Sequence, residues 1–182
     1  MNYRKWVFIA ILIFGIGLVF GSATPTSVIN PLLEDTAALQ ELSNTLVPFE
    51  FLTVIFILTK NVSALLLSFA LSPIFLLMPI FALTFNGWFL AFISAIVIQE
   101  ESLGFVLAGL LPHGIFELPA FILGEAAALS FGAMVVLALF KKEKRNLLLP
   151  GLKQNLRYLM VALALLVPAA FIEIYITPLL LT

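Results

Sequence analysis

His113 is the single histidine among 182 residues and stands in the run Leu111-Pro-His-Gly-Ile-Phe-Glu-Leu-Pro-Ala120, four residues before Glu117. A histidine and a carboxylate one helical turn apart face the same way. They can bond to each other, share a proton or hold one side of a metal ion. With His113 at 0°, an ideal helix puts Gly124 at about 20°, Glu117 at about 40°, Ala128 at about 60°, Gly132 at about 100° and Glu125 at about 120°. Ionisable groups and the smallest side chains therefore share one face.

Each chemistry needs more than this face supplies. A zinc hydrolase takes three protein ligands and a general base. Glu125 lies about 18 Å from His113 along a straight helix, and about 12 Å from Glu117, too far to share one ion. Further ligands would have to come from Glu50, Glu101, Glu173 or Asn86. A serine hydrolase needs a base beside its nucleophile, and no Gly-x-Ser-x-Gly accompanies His113. With no cysteine in the chain, thiol chemistry is excluded as well. The expectation is a protein that is not an enzyme, with no catalytic residue, metal ligand or cofactor. The cheapest use of His113 and Glu117 is a mutual bond that serves helix packing.

The surroundings explain why any such group needs a partner. The chain is 63% hydrophobic and 10% charged, with 18 phenylalanines, and its mean hydropathy is +1.19. A soluble domain is about 45–50% apolar and about 25% charged, so too few polar residues remain to cover a water-facing surface. A soluble enzyme, a disordered chain, a nucleic-acid binder and a disulfide scaffold are all excluded. An integral membrane protein remains, with room for about five crossings of about 20 residues each. An ionisable group inside lipid costs from about 2.5 kcal/mol upward, so His113, Glu117 and Glu125 must face protein or water.

The expected fold is all-α, one membrane domain over residues 1–182. Its spans fall near 6–23, 48–68, 70–98, 110–140 and 158–178. Trp6 to Ala23, preceded by Arg4 and Lys5, would also suit a signal peptide and is taken as a retained span. Residues 24–47 read as an external amphipathic helix or loop, capped by Asn30 with Pro31 at its first position and Glu34 and Asp35 near its start. From Phe49 to Phe140 the apolar sequence is interrupted by Lys60, Asn61, Pro73, Pro79, Asn86, Gly87, Gln99, Glu100, Glu101, Gly104, Pro112, His113 and Gly114. That pattern predicts broken or re-entrant helices within 48–112, with Asn61 and the Asn86-Gly87 pair at caps or turns and Pro112 in a first turn. Glu100 and Glu101 fit an external loop, and Glu173 fits a side chain snorkelling toward the interface.

Residues 141–157 hold six basic residues against one acid, a local charge of +5. The positive-inside rule places this loop and the N-terminus in the cytoplasm. An odd number of crossings then separates the loop from residues 24–47, and the C-terminus lies outside. The expected location is the plasma membrane.

The block at 111–120 resembles the signature of the stage II sporulation protein M family, membrane proteins of about five spans. Asn86-Gly87 and the Asn61 region resemble other recurrent positions, and the small-residue helix after Glu117 fits too. Lys60 stands where many members carry a second Asn. The resemblance covers about residues 48–140 and implies a non-catalytic scaffold. The namesake holds peptidoglycan hydrolases at the septum during engulfment, but similar chains occur in organisms that neither sporulate nor have that wall, so the process does not transfer with the name. Pro112, His113, Glu117 and Pro119 form the implied structural signature, with Asn86, Gly87, Gly114 and Glu125 as accompanying polar or small positions. The expected partners are membrane lipids and a second copy of the chain, a dimer being favoured, with membrane or extracellular proteins as a further class and nucleic acid excluded. The alternatives are a channel or transporter with a His-Glu path and, below it, an intramembrane metal-dependent hydrolase.

Overall fold

A computed structural model describes residues 3–25, 47–74 and 76–181. The amphipathic helix expected within 24–47 lies almost wholly outside the described residues. Among those described there are helices and no strands: α1 (Tyr3–Ala23), α2 (Phe51–Leu71), α3 (Leu77–Glu100), α4 (Leu103–Phe140), α5 (Leu148–Tyr175) and the one-turn α6 (Thr177–Leu180). The first five are long and apolar enough to cross a membrane. Three of them lie between residue 47 and the basic segment, the odd number required by the charge pattern.

The breaks expected within 48–112 occur at Pro73 and Glu101 but not at the other marked positions. Lys60 and Asn61 lie in the middle of α2, Asn86 and Gly87 in the middle of α3, and Pro112, His113 and Gly114 inside α4. The described turns are at 72–74, at Leu76 and at 101–102. At the first, Leu76 adopts the left-handed conformation (φ 64°) before α3 begins. At the second, the Ser102 hydroxyl accepts the Phe105 N–H at 3.1 Å and caps α4. Pro112 is therefore an interior residue ten positions into α4, not part of a first turn. A polar residue inside an apolar run marks a break only when no neighbouring helix offers it a partner, and here partners exist.

α4 has 38 residues, about 57 Å of helix, against a hydrocarbon core of about 30 Å. It is the axis of the bundle. Ala120, Ala127 and Ala128 meet Leu65 and Phe69 of α2 and Leu159, Ala162 and Leu166 of α5. Ala126 and Leu129 meet Ala10 and Phe14 of α1 and Leu83 of α3. Alanine at the centre lets the surrounding backbones come close, and dispersion rather than water exclusion then holds them in lipid.

α1 and α3 run parallel and touch backbone to backbone. A Cβ on Gly17 would collide with the Thr84 carbonyl, one on Gly21 with the Trp88 carbonyl, and one on Gly87 with the Phe14 carbonyl. Trp88 adds a bond from its indole Nε1 to Thr24 Oγ1 at 2.9 Å. The Gly17-x-x-x-Gly21 spacing is the sequence signal for this contact. α1 is thus packed against the bundle through its contact with α3.

The basic segment is partly helical. Only 141–147 lie outside the α-helices, mostly as a 3-10 turn, while Lys153 and Arg157 stand exposed on α5. The last span begins at Leu148, ten residues before the expected limit. Arg145 Nε donates to the Ala138 carbonyl at 3.3 Å, satisfying one of the terminal acceptors of α4.

Candidate functional site

α2 and α4 run parallel, and their polar residues meet level by level. Asn61 Nδ2 donates to Glu117 Oε1 at 3.0 Å, and further along Ser68 Oγ donates to Glu125 Oε2 at 2.6 Å. Next, Gly132 lies so close to Ser72 that a Cβ would strike its carbonyl. α5 runs antiparallel to α4, which returns its C-terminal end to the level of His113. There Glu173 joins His113 and Glu117, each with a ligand atom within 4.8 Å of the others. His113 Nδ1 lies 3.4 Å from the hydroxyl of Thr177, and Thr177 is buried at the start of α6. Lys60, beside Asn61 on α2, acts electrostatically on Glu173 together with Glu117.

The mutual bond expected of His113 and Glu117 exists as a looser contact. Nε2 and Oε2 are 3.7 Å apart, beyond hydrogen-bond range, while the firmer bond of Glu117 goes to Asn61. His113 keeps 12% of its side chain exposed and Glu117 keeps 32%. Glu125 is sealed at 1% exposure and belongs to a separate level of α4, in keeping with the helical distance.

Two of the residues singled out in the sequence are elsewhere. Asn86 is exposed on α3 and bonds the Ala82 carbonyl of its own helix at 2.8 Å, while Gly87 serves the contact with α1. Neither reaches His113. Pro112 and Pro119 flank the pair within α4, and Gly114 has open space where a Cβ would stand. Asn61 and Glu173 are the site residues that sequence reasoning placed elsewhere, and Thr177 is one it did not single out. Glu173 brings a third donor atom beside the histidine and glutamate, from one of the four positions the sequence offered for one.

The family model described as stage II sporulation protein M matches residues 9–178, nearly the entire chain. The chain belongs to the stage II sporulation protein M family. An uncharacterized protein of Methanocaldococcus jannaschii is 33% identical over 177 residues, covering 94% of this chain and 93% of its own. No solved structure matches. The match extends well beyond the 48–140 covered by the sequence resemblance and takes in α1, whose glycines carry the contact with α3. It also takes in α5, so Glu173 and Thr177 belong to the matched region together with His113 and Glu117.

Proposed function

We propose that this member of the stage II sporulation protein M family is a non-catalytic membrane scaffold or assembly component that self-associates as a dimer. It lies in the plasma membrane with its N-terminus and residues 141–157 in the cytoplasm and its C-terminus outside. One observation carries the reading: the ionisable side chains of α4 are taken up by other helices of the same chain, Glu117 by Asn61 and Glu125 by Ser68. Such bonds fix helix positions. The outlets for a partner are then the exposed basic segment at 141–147, with Lys153 and Arg157, and the external segment at 24–47.

A channel is the second reading, favoured by the polar levels along α4 and by a cavity of about 20 Å³ lined by Tyr3, Ser130, Gln154 and Asn155, large enough for one water. Between the levels of Glu117 and Glu125, however, lie Ala120, Leu65 and Leu166, all buried and apolar. That layer disfavours a continuous path.

Because the native chain has no cysteine, single cysteines report sidedness without background. Glu143→Cys is expected to react with a membrane-impermeant maleimide only after the cells are opened, and Glu101→Cys in intact cells; the reverse pattern overturns the orientation. Native mass spectrometry from lipid is expected to show a dimer or a co-purifying protein. A strict monomer with no partner overturns the scaffold, and proton flux in liposomes that is lost in His113→Ala supports the channel instead.

A further inference from the structure

We infer that His113, Glu117 and Glu173 form a binding site for a divalent first-row transition metal such as Zn²⁺ or Mn²⁺, which ties α4 to the C-terminal end of α5. The inference does not depend on the scaffold reading. Imidazole and carboxylate are the donors these ions take, and three of them from two helices converge within 4.8 Å. Around a tetrahedral ion at about 2.1 Å, donors stand about 3.4 Å apart. Small rotations of the two flexible glutamates supply the difference, since Glu117 Oε2 already lies 3.7 Å from His113 Nε2.

The outer contacts have the form of a metal site. With Nδ1 engaged by the Thr177 hydroxyl at 3.4 Å, the nitrogen left toward the two carboxylates is Nε2. Asn61 holds Oε1 of Glu117 at 3.0 Å, so Oε2 is the oxygen presented to an ion. Such outer contacts orient ligands, and their loss typically costs about 10–100-fold in metal affinity.

Charge gives a second and independent argument. Two carboxylates are held together at membrane depth, and among the described residues the ammonium placed to act on Glu173 is the exposed Lys60. Two like charges in a low-dielectric setting are costly, and a dication between them compensates both at once.

The test uses the full-length protein in nanodiscs, stripped with a chelator and dialysed against Zn²⁺ or Mn²⁺ alone, with bound metal measured by mass spectrometry and the melting temperature recorded in parallel. The expected result is one ion per chain and a higher melting temperature with the metal. His113→Ala and Glu173→Gln should each weaken binding by about tenfold or more, and Glu125→Gln, at the other level of α4, should leave it unchanged. Failure of the wild-type chain to retain either ion overturns the site whether or not the variants fold. Retention unchanged in both His113→Ala and Glu173→Gln does so equally.

Discussion

Gly17→Leu is expected to abolish the native bundle. The α1–α3 contact is closed by backbone on both sides: a Cβ at position 17 would strike the Thr84 carbonyl and come within 2.9 Å of the Trp88 nitrogen. Backbone has no rotamer with which to yield, so α1 would have to move away from α3 along its length. Separation would also break the Trp88–Thr24 bond and loosen Ala10 and Phe14 from Leu83. Overpacking in ordinary cores costs about 1–3 kcal/mol, and here, where backbone meets backbone, about 3 kcal/mol or more is expected. Gly15, two residues earlier and about 200° around the helix from Gly17, has nothing near its Cβ position. Gly15→Leu is the matched control and should melt within a few degrees of the wild type. Thermal unfolding in detergent, followed by circular dichroism, compares the two directly.

Glu125→Ala is the second large effect. Glu125 is among the most deeply buried large side chains of the chain, sealed between α2 and α4 with Ala126, Ala127 and Ala128 following it. Truncation leaves a cavity beside Ser68 and removes the 2.6 Å bond, and together these cost about 2–3 kcal/mol. Glu125→Gln keeps both the volume and an acceptor for the Ser68 hydroxyl, so it should lose less than about 1 kcal/mol. The difference between the two variants in chemical or thermal unfolding separates a packing role from one that needs the carboxyl itself. If Gln proves as damaging as Ala, the carboxyl group has a function beyond joining the two helices.

Composition and charge make the membrane class and the five long helices legible before any coordinates, because bilayer thickness and the cost of buried charge act on every residue alike. The His113–Glu117 relation is legible for the same kind of reason, since one helical turn fixes it locally. What the sequence conceals is partnership. Asn61 resembles a turn residue because it interrupts an apolar run, and only the parallel approach of α4 shows that Glu117 takes its amide within an unbroken helix. Glu173 resembles a snorkelling side chain because it stands between Ile172 and Ile174 near the end of the last span, and only the antiparallel return of α5 brings it, 56 residues on, to the level of Glu117. Conversely, Asn86 draws notice by its type yet spends its amide on its own helix. The Gly17-x-x-x-Gly21 spacing was there to be read, and with Gly87 it encodes the α1–α3 contact.

The central claim is that polar side chains of α4 join it to other helices of the same chain, and the bond between Asn61 and Glu117 is its most exposed part. A double-mutant cycle with Asn61→Ala and Glu117→Ala, measured by reversible unfolding in bicelles, isolates that bond from the effects of each side chain elsewhere. Interhelical hydrogen bonds in membranes couple by about 0.6 kcal/mol on average and up to about 1.7 kcal/mol, and a favourable coupling in that range is the predicted result. Additive effects of the two substitutions, with no coupling between them, would contradict it.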